Sequence, residues 1–466
     1  MAIIQHVVVL MLENRSFDSM LGRLYPDDPN FRGLTLREFN DYNGTGYGVW
    51  NDTGMDATAA CIPDPDPGEF FSDMTLQLFG QAARGPGTAP MNGFAQSYAT
   101  QKGDGVFAPS SVMHYFTPQQ VPIISTLAKA FGVCDAWHAS APCQTWPNRF
   151  FAHTATSLGY VDNKAFPIPF DAASIFRRLE DQEKSWRVYF HDMPQSMLLK
   201  DVWLYAASRY RVFSQFLADA QTGSLPSYSF IEPRYFADLF GTYIPNDEHP
   251  PHNVVYGEQL IASVYNALRS SPCWKQTLFI ITYDEHGGCF DHVAPPKAVP
   301  PDGKINNAYG FDFSAYGVRV PAVIISPYMA PGSKLHEGRD GTPFDHTSII
   351  RTVRDVFGLG GPLTARDAAA PSLMEMLDLA LPTNDGPLSV DASLISAPPA
   401  QVATRAAAPL NGMQSSLAAA ATQLPRGAPT SSSQVPSPSV PPTATYPTVA
   451  TAAASASAST KLFLGL

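Results

Sequence analysis

Cysteine is scarce in this chain. Five stand among 466 residues (Cys61, Cys134, Cys143, Cys273 and Cys289), none in a CxxC pair. An odd number cannot all pair within one chain, so a disulfide-built scaffold is excluded and the thiols read as small buried hydrophobes. Basic residues are also short, 30 Lys and Arg against 41 Asp and Glu, for a net charge of −11. With no basic stripe to meet a phosphate backbone, nucleic acid is excluded as a partner. No apolar run approaches the ~20 residues of a membrane-spanning helix. The first run, His6 to Leu12, has no basic flank and ends in Glu13-Asn14-Arg15, not at a small-residue cleavage site. It does not read as a secretory leader. The expectation is a protein without a transmembrane segment, either cytoplasmic or exported by a route the sequence does not show. Familiar nucleophile and nucleotide motifs are missing too: there is no GxSxG, Walker A loop, HExxH or GxGxxG.

What is present divides in two. From about residue 396 the composition turns to Ala, Pro, Ser and Thr, with Arg405, Arg426 and Lys461 and no acidic residue. Such a segment has little apolar surface to offset its ordering entropy, so 396–466 is expected to be a disordered tail. Residues 1–395 alternate short apolar strands (6–12, 227–231, 277–283, 318–326) with amphipathic helices. The helices are expected over Pro122–Phe131, Ala172–Asp181 with Asp171 as cap, Tyr210–Ala220, Tyr256–Ser270, and Ser348–Phe357 with Gly358 as its stop. Runs such as LFIIT and VPAVIIS do not alternate, which suits strands covered on both faces of a mainly parallel α/β sheet. Residues 40–110 lack periodicity and read as a loop-rich insertion that could shape a site.

In open α/β sheets, ligands bind beyond the carboxyl ends of the strands. After strand 6–12 come Glu13 and Asn14; after 277–283 come Asp284, Glu285 and His286, then Gly287-Gly288. A cap or a turn would explain one such end. Carboxylates gathered at two ends repel unless a cation holds them, and their oxygens suit Mg²⁺, Ca²⁺ or Mn²⁺. Thr145, just before Trp146-Pro147, is either an N-cap or a nucleophile at a helix N-terminus, with Arg149 one turn on to meet phosphate oxygens. His249 and His252 lie in the polar loop NDEHPPH, a surface loop or a catalytic one. Asp291-His292 and Asp345-His346 either orient one another or cap helices.

Together the segments HVVVLMLENRSFDSMLG, FGVCDAWHAS, TWPNRFFAHTATS, NDEHPPHNVVYGEQLI, TLFIITYDEHGGCFDHVAPP, GVRVPAVIISPY and FDHTSIIRTV span residues 6–353. In this order they resemble the metal-dependent phosphoesterases that include bacterial phosphatidylcholine-type phospholipases C and related acid phosphatases. The resemblance implies an alkaline-phosphatase-like three-layer α/β sandwich and a catalytic domain over 1–395. It implies hydrolysis of phosphate esters through a covalent phosphothreonine, on a phospholipid or other phosphodiester or, as an acid phosphatase, on phosphomonoesters. A phospholipid substrate would entail transient contact with a membrane surface. The resemblance also implies a divalent metal (Mg, Ca, Mn or Zn). Glu13 and Asn14 match its N-terminal ligands, Asp284 the downstream ligand with Glu285 beside it, and Thr145 the nucleophile, also bound to the metal. Arg149 follows in the matching Pro-Asn-Arg, His249 matches a histidine near the leaving group, and His292 with Asp291 falls in a matching catalytic segment. The sequence does not give the oligomeric state.

Overall fold

The purest apolar runs become the centre of an eight-stranded sheet. The computed structural model describes residues 3–54, 59–85, 87–101, 108–164, 166–237, 244–391, 406–442 and 445–466. The strands are β1 (His6–Leu12), β2 (Gly132–Cys134), β3 (Trp186–Phe190), β4 (Tyr210–Val212), β5 (Tyr228–Ile231), β6 (Thr277–Tyr283), β7 (Ala322–Ile325) and β8 (Ser333–Leu335). Their order is β8-β2-β7-β6-β1-β5-β3-β4. β7 alone runs antiparallel to its neighbours, so the sheet is mainly parallel, as expected. Strands β1 and β6 match the ranges read from the sequence. Every residue of β6, and all of β1 after His6, is buried, so both faces are covered. The 318–326 expectation shrinks to Ala322–Ile325 because Pro321 has no N–H to give to a ladder.

The helices that matter below are α1 (Phe17–Leu21), α2 (Phe71–Phe79), α3 (Phe94–Thr100), α4 (Pro122–Ala130), α5 (Thr145–Thr154), α6 (Ile175–Asp181), α7 (Phe213–Thr222), α8 (Val254–Arg269), α9 (Thr347–Phe357), α10 (Gly412–Ala421) and α11 (Val449–Leu464). Three expectations are corrected. Tyr210–Val212 is the edge strand β4, paired with Val188–Phe190, and the helix starts only at Phe213; aromatic and β-branched residues at 210–212 favour the ladder. The cap of α6 is Ser174, whose side chain accepts from the Arg177 N–H, while Asp171 pairs with Lys200 at 2.6 Å. Gly358 stops α9 as expected, in the left-handed conformation at φ 65°.

The third correction concerns the tail. Residues 396–405 lie outside the described residues, but 406–466 carry α10 and α11, not the expected disordered chain. The reason is that alanine is the best helix former and both helices begin with reciprocal caps, Asn411 with Gln414 and Thr448 with Thr451. Small side chains let the pair approach closely, and Met413, Leu417, Ala452, Ala456 and Phe463 are buried in the main core. Phe463 meets the Trp203 ring edge-on at 5.4 Å.

The insertion is also folded where it is described. It contains α2, α3 and the hairpin Phe39–Tyr42/Thr45–Gly48. Leu78, Phe94 and Tyr98 build a small apolar core against Phe290 and Val318. That core seats the insertion on the loop after β6, beside the strand ends. All five cysteines are free and buried. Among the described residues no helix is long and apolar enough to cross a membrane.

Candidate active site

Strand register brings the first two groups together. β1 and β6 are adjacent and parallel with Leu12 opposite Tyr283, so the residues that follow, Glu13 and Asp284, leave the sheet side by side. The Asp284 N–H donates to the Leu12 carbonyl at 3.2 Å. Asp284 Oδ1 then accepts from the Asn14 N–H (3.0 Å) and the Glu285 N–H (2.8 Å). Asn14 sits at φ 49°, a left-handed conformation that asparagine tolerates better than most residues. Its amide Nδ2 donates to Glu69 Oε1 (2.6 Å) and Glu285 Oε1 (2.9 Å). Gly287, at φ 59°, closes this turn; a Cβ there would lie 2.2 Å from the Asn14 carbonyl oxygen, so glycine is required.

Thr145 enters on α5. It is the first residue of that helix but not its cap. Gln144 holds the cap position, and its side-chain oxygen accepts from the Asn163 N–H instead. Pro147 is harmless in the first turn, where its missing N–H would have had no intrahelical partner. Asn148 fastens the turn before the helix, donating to the carbonyls of Ala141 (3.1 Å) and Cys143 (2.7 Å). Thr145 and Arg149, four residues apart, share one helix face. Arg149 Nη2 reaches Glu13 Oε1 at 2.5 Å and the Met11 and Leu12 carbonyls at 3.1 and 3.3 Å, and its Nε is 3.6 Å from Asp284 Oδ2. The arginine expected to meet phosphate thus lies between the two carboxylates; its Nη1 makes no hydrogen bond among the described residues.

Four of the buried oxygens that make no hydrogen bond among the described residues are Glu13 Oε2, Asn14 Oδ1, Thr145 Oγ1 and Asp284 Oδ2. They come one each from the four residues matched to the metal in the sequence, apart from Glu285. A buried oxygen left unpaired is costly, and hard oxygen donors of this kind are what a divalent cation binds. The electrostatics agree. Burial pushes the Glu13 carboxyl well above the usual range; Arg149 pulls it back, and Asp284 and Asp247 push it further up. Burial raises Asp284 in the same way, again against Arg149. Glu285 has its oxygens engaged by Asn14 and by the Gly287 N–H (2.7 Å), and burial with Asp284 beside it holds its carboxyl high. A bound cation would reverse these shifts.

His249 is fully buried, and burial with His252 and Arg15 pushes its imidazole down to about 3, so it is neutral near pH 7. Its Nδ1 donates to the Pro250 carbonyl at 2.6 Å, while Nε2 lies 3.3 Å from Glu69 Oε1. His292 goes elsewhere. Its Nδ1 and backbone N–H both meet Asp18 Oδ2 at 2.7 Å, and Arg319 bridges Asp18 and Asp291 at 2.9 Å each. Its polar partners are those of a structural ion-pair network.

Sequence reasoning missed Asp66, Glu69, Gln195 and Asp247. Gln195 Nε2 donates to Glu13 Oε1 at 2.7 Å. The Asp247 carbonyl accepts from the Glu13 N–H, and its carboxylate takes His252 Nδ1 at 2.6 Å. Asp66 and Glu69 arrive from the aperiodic insertion, where no spacing marked them out. Asp247 lay inside the polar loop already singled out for its histidines, and its place two residues before His249 was the available signal.

The sequence profile of the phosphoesterase family matches residues 4–360. The chain is 40% identical over 384 residues to non-specific phospholipase C1 of Arabidopsis thaliana, covering 79% of this chain and 69% of that protein. It is 29% identical over 456 residues to phospholipase C A of Mycobacterium tuberculosis (strain ATCC 25618 / H37Rv), covering 85% of this chain and 81% of that one. Among solved structures, a protein in the alkaline phosphatase superfamily from Vibrio parahaemolyticus overlaps 54% of this chain and 64% of its own length, at TM-score 0.30 and 12% identity. That likeness is distant.

Proposed function

The chain belongs to the phosphoesterase family and is a hydrolase of phosphate esters, and from that premise we propose that it is a metal-dependent, phospholipase C-type phosphodiesterase with Thr145 as nucleophile. The observation that carries this reading is the set of four unbonded buried oxygens on Glu13, Asn14, Thr145 and Asp284. These residues would hold a divalent cation, with Glu285 beside them. When bound, it would supply positive charge against the phosphate and lower the pKa of the Thr145 hydroxyl.

The chain's own residues do the rest. The first turn of α5 fixes Thr145 among N–H groups that favour an anion. The Thr145 Oγ1–P bond forms as its hydroxyl proton passes to solvent water, and the leaving oxygen takes up a proton from water as its bond to phosphorus breaks. Water then attacks the phosphothreonine ester and releases Thr145, so two displacements give net retention at phosphorus. Arg149 Nη1 is the donor left to meet an equatorial oxygen. His249, with Nε2 3.3 Å from Glu69 Oε1, is the histidine that the family resemblance puts near the leaving group.

The likeness to phospholipases C favours a diester over a monoester. Glu13, Glu69, Asp247, Asp284 and Glu285 are buried together, with Arg149 between Glu13 and Asp284, and a bound divalent cation would offset their charge. The test compares p-nitrophenylphosphorylcholine with p-nitrophenyl phosphate, each with and without chelator. Faster, chelator-sensitive turnover of the first is expected; preference for the second would make the protein an acid phosphatase, and chelator-insensitive turnover would remove the metal from the mechanism.

A further inference from the structure

We propose that Asp66, Glu69 and His249 hold a second divalent cation, next to the one assigned to Glu13, Asn14, Asp284 and Thr145. One carboxylate oxygen from each acid and one ring nitrogen lie within 4.8 Å of one another. The decisive contact is between His249 and Glu69. Because Nδ1 gives its proton to the Pro250 carbonyl, Nε2 is the ring's lone pair. It is fully buried, makes no hydrogen bond among the described residues, and points at Glu69 Oε1 from 3.3 Å. That oxygen already accepts from the Asn14 amide. Two acceptors facing each other at this distance repel. A cation with bonds of about 2.1 Å puts neighbouring ligands roughly 3.0–3.4 Å apart, which is the spacing of this His249–Glu69 pair.

Asp66 completes the set. Its Oδ1 is buried and makes no hydrogen bond among the described residues, and it lies 3.7 Å from the His249 ring nitrogen Nδ1. The rest of its side chain is 23% exposed. It lines a cavity of about 330 Å³ bounded also by Pro65, Pro251 and Asn411, which gives a cation its route in from solvent. One imidazole with two carboxylates suits Zn²⁺ or Mn²⁺ better than Ca²⁺. Asn14 ties the two sites together: Nδ2 is on Glu69, and Oδ1, which makes no hydrogen bond among the described residues, is one of the oxygens assigned to the first cation. Two cations so linked would let one serve the attacking oxygen and the other the leaving oxygen, a consequence that rests on the proposed function; the binding itself does not. It would also explain why His249 is held as a neutral acceptor and not as a proton donor.

The experiment strips the full chain with chelator, reloads it with ZnCl₂ or MnCl₂, and counts bound metal by mass spectrometry and calorimetric titration. Wild type should bind two cations, and Glu69→Gln and Asp66→Asn one each, with melting curves reporting that the variants are folded. Glu13→Gln should lose the other cation. If wild type binds a single cation that Glu13→Gln loses while Glu69→Gln and Asp66→Asn keep it, the second site is overturned and the first stands. A cation lost in Glu69→Gln but kept in Glu13→Gln would support the second site and remove the first. No bound cation in wild type would overturn both.

Discussion

Two clusters of buried charge sit at the ends of the central strands, and they differ in one respect. Around Arg319, among the described residues, no buried side-chain atom of Asp18, Asp291 or Arg319 is left unbonded: Asp18 and Asp291 each bind the guanidinium, His292 binds Asp18, and Arg319 Nη1 donates to the Arg32 and Asp135 carbonyls. Around Arg149 the answers run out, and Glu13, Asn14, Thr145 and Asp284 each keep one buried oxygen unbonded. Both clusters contain acids and an arginine, and both looked catalytic in the sequence. A satisfied network holds the ENRSFD turn to the loop after β6; an unsatisfied one has binding capacity left over.

That contrast can be broken at either end. The largest effect is expected from Thr145→Ala, which should lower turnover roughly 10³-fold or more. Since Thr145 Oγ1 makes no hydrogen bond among the described residues, the melting temperature should move little. A variant that kept most of its turnover would place Thr145 among ordinary helix residues. Arg319→Met should act on stability instead. It leaves buried Asp291 without its cation and Asp18 with His292 alone, and chemical denaturation should show a loss of roughly 3–5 kcal/mol. A loss under 1 kcal/mol, within the range of a surface pair, would mean the cluster is not holding the loops.

Glu13→Gln keeps the side chain's shape and removes one charge. It should cost about 10²-fold in turnover together with a bound cation. Turnover lost with cation content unchanged would separate Glu13 from the metal. The smallest effect is a pH dependence at His292. Burial opposes its charged form, but Asp18 outweighs that and raises its pKa. A raised pKa gives stability that is complete below the unfolded value of about 6.5 and is lost as pH rises through the folded value. The melting-temperature gap between wild type and His292→Gln should therefore narrow from pH 6 to pH 9. A constant gap would show that the Asp18 contact does not depend on charge.

Much of this was legible in the sequence where one physical signal dominated. Strands β1 and β6 were readable to the residue because unbroken apolar runs end abruptly in polar ones, and from those ends Glu13, Asn14 and Asp284 followed. The role of Arg149 was half legible. Its place one turn after Thr145 was visible, but its ion pair with Glu13 depends on the register of strands far apart in sequence. Asp66 and Glu69 could not be read, because nothing in an aperiodic insertion says which acid will face a strand end. The tail misled for another reason. Low charge and many Ala, Ser and Pro residues suggested disorder, yet alanine propensity, reciprocal caps and a handful of apolar anchors suffice when a core is there to receive them.

The central claim is that Thr145 carries the phosphoryl group. The most direct measurement is an acid quench during steady turnover of p-nitrophenylphosphorylcholine, followed by peptide mapping by mass spectrometry. A phosphoester adduct on the peptide containing Thr145, absent from Thr145→Ala and from a substrate-free control, is the expected result. Full turnover with no adduct on that peptide at any quench time, or an adduct on another residue, would contradict it.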